Sequence, residues 1–438
     1  MQKRMPATDM QTSLRGIATR AKRDGKARFR DLYRLLNEAN LRDCFYRLNR
    51  SAAPGVDKVT FEDYERHLET NLAELVRRLK GKRYRAKLVR RKYIPKGNGK
   101  LRPLGIPALE DKLVQMAAAE VLTAIYEQDF LDCSWAYRRG RGPREASLVL
   151  RERLRHGKFG WVVEADIRGF YDNISHEWME RMLQERVADR AFLLLIVKWL
   201  KAGVLEEDGK VLHPATGTPQ GGIISPVLAN IYLHYVLDLW VERRVRKWSQ
   251  GESYMMRFAD DFVAAFQYRA DAVRFERELS ERLGKFGLAV AEDKTRMLQF
   301  SRFVSEPNDA FEFLGFEFRW KMGRHGRMEV YRRTSPKRLR ASVNAFSQWL
   351  KRAYHERVST LMKEVSRKFA GYWNYYGVRG NAESISRFYY QCRKLLFKWL
   401  NRRSQKRSYT WEGFDAMLRV FRVPTPRIVE VVSQSSLR

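Results

Sequence analysis

The stretch that decides the fold is YMMRFADDFVAAF, residues 254–266, in which two largely apolar, strand-like runs flank two adjacent carboxylates. These carboxylates, Asp260 and Asp261, are predicted to lie at the tip of a hairpin. Carboxylates that leave water lose several kcal/mol of solvation, so such a position tolerates them mainly when a cation compensates their charge. An adjacent aspartate pair also arises by chance roughly once in a chain of this size. The pair alone is therefore weak evidence for a metal site.

A second apolar run that ends in aspartate occurs upstream. It lies within WVVEADIRGFYD, residues 161–172, and its strand-like part ends at Asp166. One cation can compensate carboxylates from two strands. Two strands that both end in aspartate therefore predict one shared metal centre.

Composition predicts a folded protein that binds a polyanion. Of the 438 residues, 44% are hydrophobic and 13% aromatic, so the 31% that are charged decorate a core and do not replace it. The 85 Lys and Arg outnumber the 51 Asp and Glu, which gives a net charge of +34. Each phosphate that such a surface neutralises releases counterions. Nucleic acid is the expected partner, and an anionic membrane surface is the alternative.

Several classes of protein are disfavoured. The longest apolar run, residues 191–197, is stopped by Lys198 and falls short of the ~18 to 20 residues of a membrane-spanning helix. The N-terminal residues lack the apolar core of a secretion signal. The histidines show no ligand spacing, and the cysteines, Cys44, Cys133 and Cys392, lie too far apart for a zinc knuckle. We expect no membrane partner and a bacterial cytoplasmic location, with association with the nucleoid possible.

Residues 88–104 are predicted to form a cationic hairpin. Gly97-Asn98-Gly99 is a strong turn signal between two short strands. Guanidinium and ammonium groups match phosphate oxygens, so a polyphosphate is a natural ligand, although the local pattern slightly favours an ordinary exposed hairpin. The cations along this edge are Arg90, Lys96, Lys100 and Arg102.

The order of elements favours an α+β fold, with an antiparallel sheet backed by helices. Strands and helices alternate between residues 126 and 300. There Gly221 and Gly222 either let a ligand approach the backbone or mark a plain junction before a helix. The last hundred residues are predicted to be helical, with three apolar faces that would pack into a small bundle.

Taken in order along the chain, these patterns resemble the group II intron reverse transcriptases, also called maturases. The resemblance covers residues 35–430, and it is specific because independent motifs follow one another in the family's order. The motifs are APGVD (53–57), YIPK (93–96), RPLGIP (102–107), DKLVQ (111–115), ADIRGFYD (165–172), TPQGGIISP (218–226), FADD (258–261), EDKT (292–295) and FLGF (313–316).

The resemblance implies a right-hand polymerase fold. Such a protein is α+β, with fingers, a palm that contains an antiparallel sheet, a helical thumb and, here, a small basic C-terminal extension. The implied segments are a basic N-terminal arm (1–35), fingers (36–125), a palm with the catalytic aspartates and some finger elements (126–315), a helical thumb (316–403) and the extension (404–438), a candidate DNA-binding region.

The resemblance also implies that the chain copies RNA into DNA with two Mg²⁺ ions, for which Mn²⁺ can substitute. Two metals roughly 3.5 to 4 Å apart would activate the primer 3′-hydroxyl and stabilise the leaving pyrophosphate. The implied catalytic residues are Asp166, Asp260 and Asp261, and the implied metal ligands are Asp166, Ile167, Asp260 and Asp261.

A further set of residues would bind the incoming nucleotide. Tyr171 would crowd a ribose 2′-hydroxyl and so favour deoxynucleotides, the alternative being an aromatic core residue. Lys294 would protonate the pyrophosphate. The alternative, which is the commoner case for a lysine beside an aspartate such as Asp293, is an ordinary surface residue. The implied nucleotide-binding residues are Lys96 and Arg102, with Arg90 the weaker candidate, and Tyr171, Gln220 and Lys294.

The chain departs from the family pattern at several positions. Phe258 stands where tyrosine is usual, and Lys58 stands where glycine is frequent. The segment AYRRG, residues 136–140, replaces a more usual Gly-Phe-Arg-Pro-Gly and leaves the local turn open. No cysteine-rich HNH nuclease is expected, as in the short members that accompany class C introns.

The implied partners are an RNA template, a DNA or RNA primer, dNTPs and a group II intron RNA whose splicing and mobility the protein assists. One alternative is an RNA-binding splicing cofactor without polymerase activity. Another is a domesticated relative in DNA repair or phage defence. The oligomeric state stays open.

Overall fold

The computed structural model describes residues 9–95, 101–303, 309–323, 326–403 and 408–430, so Lys96 and Lys100 lie outside the described residues. The helices are α1 (Asp9–Arg23), α2 (Glu38–Arg47), α3 (Phe61–Glu65), α4 (Leu68–Lys80), α5 (Leu109–Tyr126), α6 (Pro143–His156), α7 (His176–Gln184), α8 (Arg190–Leu200), α9 (Ser225–Leu233), α10 (Arg246–Trp248), α11 (Arg269–Gly284), α12 (Pro336–Ala353), α13 (Val358–Tyr376), α14 (Ala382–Leu400) and α15 (Trp411–Val420). The strands are β1 (Val89–Pro95), β2 (Leu101–Ile106), β3 (Trp161–Asp166), β4 (Val204–Leu205), β5 (Val211–Leu212), β6 (Ser253–Phe258), β7 (Asp261–Phe266), β8 (Arg296–Gln299), β9 (Phe311–Phe313), β10 (Phe316–Met322) and β11 (Met328–Thr334). The predicted α+β class is confirmed.

A four-stranded antiparallel sheet in the order β6-β7-β3-β8 carries the two aspartate-bearing strands. Successive side chains of a strand point to opposite faces. On β3, Val163 and Ala165 pack into one core, whereas Val162 packs into another. Because both faces of the sheet are buried, these strands are continuous apolar runs, which is why they could be recognised in the sequence.

Different helices and strands pack against the two faces of this sheet. Helices α5, α8, α9 and α11 contribute to the larger core, on the side of Val163. Helix α6 and the sheet β11-β10-β9 contribute to the core on the side of Val162. The two central strands, β7 and β3, therefore lie in an inner layer of the protein.

Strands β1 and β2 form the predicted hairpin, paired from Arg90↔Ile106 to Pro95↔Leu101. β4 lies parallel to β1, and β5 completes this small sheet. Glu206, which follows β4, accepts hydrogen bonds from Arg91 Nε at 3.0 Å and from the Tyr93 hydroxyl at 2.9 Å. These contacts attach the hairpin to the β4–β5 segment.

The basic N-terminal segment contains helix α1, which does not project as a free tail. Leu14, Ile17 and Ala21 pack against the larger core. Their spacing of three and four residues places them on one face of the helix. The predicted basic arm therefore contains a helix that packs against the rest of the protein.

Residues 316–322 and 328–334 are strands, although the sequence predicted that a helical thumb begins at 316. β10 and β11 pair from Phe316↔Thr334 to Met322↔Met328. Phe316, Phe318 and Trp320 are buried at every second residue, which is a strand pattern. The helical prediction was wrong for these residues because the helical spacing that supported it begins only at Leu339.

The described residues from Pro336 onward are mainly helical, as predicted. Phe346 of α12 and Phe388 of α14 both contact Phe369 of α13, and the predicted apolar faces form one core. Helix α15 adds Phe414 to this core. No helix in the described part of the chain is long and apolar enough to cross a membrane.

Candidate active site

The three aspartates lie together at one end of the central sheet. Asp166 is the last residue of β3 and Asp261 is the first of β7, and the two are direct partners across the antiparallel pair. Such partners have Cα atoms roughly 4.5 to 5.5 Å apart. Phe258 pairs with Asp261, so Ala259 and Asp260 form a two-residue turn. This short turn brings two adjacent aspartates to the same end of the sheet.

The turn has an unusual backbone conformation. Ala259 has φ +59°, in the left-handed region, and it is 8% exposed. A residue with a Cβ atom loses roughly 1 kcal/mol or more there. Two-residue hairpin turns demand positive φ, which explains why the conformation occurs at this position. The carbonyl of Ala259 accepts a hydrogen bond of 3.0 Å from Arg257 Nη1, which helps hold the turn.

The carboxylates repel one another in a half-buried site. Burial, and after it the charges of Asp166 and Asp260, raise the pKa of Asp261 to about 7. Burial also raises the pKa of Asp260, and the charge of Asp166 adds to this effect. A divalent cation would relieve both effects, because it compensates the charge that burial disfavours.

The donor set fits Mg²⁺ in its chemistry. Mg²⁺ is usually bound by one or two carboxylates and takes its other ligands from water and substrate phosphates. The buried side chain of Ile167 has no donor atom, so its backbone carbonyl is all that this residue can offer. Among the residues described, no three His, Cys, Asp or Glu side chains form a metal-holding group by themselves. The aspartates could therefore provide only part of a coordination shell.

Lys294 lies directly on the aspartate cluster. It ends a short 3₁₀ turn, Glu292–Lys294, and its ammonium group forms an ion pair with the Asp166 carboxylate. The hydrogen bond to Asp166 raises the pKa of Lys294. The lysine therefore keeps its proton at neutral pH and occupies one of the carboxylates that a metal would need.

Tyr171 lies near this end of the sheet and is half-buried. Burial raises its pKa, and the neighbouring Tyr137 and Asp260 raise it further. The backbone carbonyl of Tyr171 accepts a hydrogen bond of 2.8 Å from Thr218 N. This bond joins the Tyr171 segment to the loop that carries Gln220.

The loop with Gln220 packs against the base of the cationic hairpin. The carbonyl of Gln220 accepts a hydrogen bond of 2.6 Å from Gly105 N, on β2. Gly221 has φ +115°, and a Cβ atom there would lie 2.5 Å from the Gly105 carbonyl oxygen. The space at Gly221 is thus taken by the hairpin backbone, in contrast to the interpretation in which this glycine admits a ligand.

Replacing Gly221 with alanine should disturb this loop. The new Cβ would meet backbone on the hairpin and would stand in a conformation reserved for glycine, so we expect a loss of about 1 to 3 kcal/mol of stability. Thermal unfolding of Gly221→Ala would measure it. Gly371→Ala is the matched control, because Gly371 lies within α13 with no atom in the path of a Cβ. Equal melting temperatures for the two variants would contradict the expected role of Gly221.

The hairpin cations differ in their surroundings. Arg102 is exposed on β2 and lies near enough to the turn that its charge acts on Asp260. Arg90 is half-buried and donates a hydrogen bond of 2.6 Å to the Pro54 carbonyl. Arg102 therefore lies within electrostatic range of Asp260, whereas Arg90 holds the APGVD segment.

Arg257 is a residue of this site that the sequence interpretation missed. It is fully buried and donates to both carboxylate oxygens of Asp238, at 2.7 and 2.6 Å. It also bonds Asn230 Oδ1 at 3.1 Å and Ser134 Oγ at 2.8 Å, in addition to Ala259 O. The signal was present, because an arginine inside an apolar strand requires a partner. The identity of that partner could not be read from the chain.

The partner Asp238 lies in a locally unwound helix. The chain continues from α9 through two π-helical turns, His234–Asp238 and Val241–Val245. Such turns are rare and frequently occur near functional sites. Here the first π-helical turn ends at the buried carboxylate that pairs with Arg257.

The region that contains the three aspartates is similar to known proteins. The family model described as reverse transcriptase (RNA-dependent DNA polymerase) matches residues 94–318, which include the three aspartates. Protein YkfC of Escherichia coli K12 is 31% identical over 353 residues, which are 72% of this chain and 90% of YkfC. The chain therefore belongs to the reverse transcriptase family, and within it to the group II intron reverse transcriptases, or maturases.

Intron proteins are among its relatives. The group II intron-encoded protein LtrA of Lactococcus lactis is 42% identical over 176 residues, 39% of this chain and 29% of LtrA. The nuclear intron maturase 4, mitochondrial, of Arabidopsis thaliana is 28% identical over 130 residues, 30% of this chain and 16% of that protein. The matched region thus spans less than a third of each of these intron proteins.

Proposed function

We propose that this protein is an RNA-directed DNA polymerase that adds dNTPs to a primer on an RNA template, with two Mg²⁺ ions as cofactors. The observation that carries the proposal is the convergence of Asp166, Asp260 and Asp261 at one end of the sheet. Asp166 and Asp260, assisted by Asp261 and the carbonyl of Ile167, would hold the metals. When bound, the metals would activate the primer 3′-hydroxyl and stabilise the charge on the leaving pyrophosphate.

The other residues of the site would bind and orient the nucleotide. Arg102, with Lys96 and to a lesser degree Arg90, would bind the triphosphate through charge-assisted hydrogen bonds. Gln220 would contact the nucleotide from its loop, and Tyr171 would exclude a ribose 2′-hydroxyl. Lys294, which carries a proton on Nζ, would donate it to the leaving pyrophosphate.

We assign the segments of the chain to the parts of a right-hand polymerase. Residues 36–125 would form the fingers, 126–315 the palm and 316–403 the thumb, with a basic arm before them and a basic extension after them. The sheet of β9, β10 and β11 packs in the same core as β7, so residues 316–334 would join the thumb to the palm. This division matches the position of the aspartates in the middle segment.

The partners would be template and primer, dNTPs and a group II intron RNA, in the bacterial cytoplasm. A net charge of +34 supports a long contact with nucleic acid backbone. The printed names of LtrA and the plant maturase associate those relatives with introns. Help in splicing and mobility of an intron RNA is therefore part of the proposal.

Primer extension tests the polymerase directly. Oligo(dT) annealed to poly(A) should be extended when dTTP and Mg²⁺ are supplied, and a chelator should stop the reaction. The second candidate function is a splicing cofactor with an idle site, which the ion pair between Lys294 and Asp166 favours. A cofactor of that kind would bind the primer–template without extending it.

Binding of RNA should weaken steeply with salt. If six to ten phosphates are neutralised, affinity should fall on the order of a thousandfold or more between about 50 and 200 mM salt. Filter binding or fluorescence anisotropy with a labelled RNA would measure the slope. A change of less than about tenfold would show that the cationic surface makes few phosphate contacts.

A further inference from the structure

Tyr137 lies beside the residue that we expect to discriminate between sugars. Its hydroxyl oxygen is 3.1 Å from the hydroxyl oxygen of Tyr171. Tyr137 is 57% exposed, whereas Tyr171 is half-buried with its ring near Asp260. The hydroxyl pair thus joins a surface tyrosine to the edge of the aspartate site.

The backbone is fixed on both sides of Tyr137. The Ala136 carbonyl accepts a hydrogen bond of 2.7 Å from Asn230 Nδ2. The buried guanidinium of Arg138 donates to the Glu127 carboxylate and to two backbone carbonyls, each at 2.8 Å. Between these anchors Tyr137 has φ +60°, a left-handed conformation that costs a residue with a side chain roughly 1 kcal/mol or more. The fold therefore holds the exposed Tyr137 side chain in one orientation at a cost in conformational free energy.

The hydrogen bonds that fix this backbone extend to the turn that carries Asp260. Asn230 accepts a hydrogen bond of 3.1 Å from Arg257, and Arg257 donates to the carbonyl of Ala259. One buried polar network thus supports both Tyr137 and the turn that carries Asp260. We therefore expect the distance between Tyr137 and this turn to be fixed.

We propose that Tyr137 is a positioning residue for sugar selection, whose hydroxyl holds Tyr171 in the path of a ribose 2′-hydroxyl. This inference rests on the proposed function, in which Tyr171 favours deoxynucleotides. The hydroxyl pair limits movement of the Tyr171 ring. It also occupies the Tyr171 hydroxyl, which could otherwise form a hydrogen bond with a ribose. A phenylalanine, the residue usual at this position of the motif, can do neither.

Tyr137→Phe tests this role because it removes one hydroxyl from an exposed ring. The readout is kcat/KM for dTTP and for UTP on poly(A) primed with oligo(dT). We expect the dTTP to UTP ratio to fall about five- to tenfold, since one hydrogen bond is worth about 1 kcal/mol and 1.4 kcal/mol is tenfold. Use of dTTP itself should change little. Tyr46→Phe, at a tyrosine that is 58% exposed, is the matched control and should leave the ratio unchanged.

A double-mutant cycle isolates the contact. In a Tyr171→Phe background, Tyr137→Phe should cause no further change in the ratio, because the hydroxyl that it holds is already gone. An unchanged ratio in Tyr137→Phe, with a lowered ratio in Tyr171→Ala, would overturn the inference and leave the sugar-selecting role of Tyr171 intact. An unchanged ratio in both would overturn that role and the inference with it. Failure of the unaltered protein to incorporate dTTP would instead contradict the proposed function on which both depend.

Discussion

Asp260→Ala should abolish primer extension while RNA affinity stays nearly the same. The substitution removes a carboxylate that would hold both metals. We expect kcat to fall on the order of a thousandfold or more, because a main source of charge stabilisation in the transition state would be lost. Binding should persist, because the phosphate contacts come from cations elsewhere on the surface. Single-turnover extension and anisotropy with the same primer–template would measure the two effects separately.

The matched control for this variant is Asp208→Ala. Asp208 is an exposed aspartate in the turn between β4 and β5, away from the central sheet. Extension should be unaffected there, within about twofold, as for most surface substitutions. If Asp260→Ala retained more than about a tenth of the activity, the assignment of Asp260 as a shared ligand of two metals would be wrong.

Arg257→Met should be strongly destabilising. The substitution leaves the Asp238 carboxylate fully buried without its cation, and removing one member of a buried pair typically costs about 3 to 5 kcal/mol. The hydrogen bond to the Ala259 carbonyl is lost as well, so the turn that carries Asp260 should also become less ordered. Urea unfolding followed by tryptophan fluorescence, together with the yield of soluble protein, would show the loss.

Two further variants separate charge burial from simple loss of a salt bridge. In Arg387→Met the broken pair, with Glu383, is exposed, so the expected loss is at most about 0.5 kcal/mol. In the double variant Arg257→Met with Asp238→Leu no buried charge remains, so part of the stability should return. A similar melting temperature for Arg257→Met and Arg387→Met would contradict the importance of the buried pair.

Much of the site could be predicted from local sequence. Apolar runs beside Asp166 and Asp261 indicated strands, and the hairpin of β1 and β2 was indicated by Gly97-Asn98-Gly99. These features depend on periodicity and turn chemistry within a few residues. The class of protein was likewise recognisable from the order of the motifs, and the comparisons confirm it.

Other features depend on contacts between distant segments. The space at Gly221 is filled by the hairpin backbone, more than a hundred residues earlier in the chain, and Lys294 pairs with Asp166 across a similar separation. Neither contact follows from local propensity, since tertiary packing decides which surface a residue meets. The strands β10 and β11 are different, because the alternation of Phe316, Phe318 and Trp320 was a local signal that the assignment to a helical segment overlooked.

The sequence by itself determined the α+β class, the strand-borne aspartates and the excess of positive charge, because these follow from side-chain period, residue type and counting. Only the tertiary structure decided that Arg257 is buried behind the turn that carries Asp260 and that Tyr137 meets Tyr171. The physical reason is that a buried charge or a paired hydroxyl is stable only with a specific partner. In this chain each of those partners is supplied by a different part of the fold.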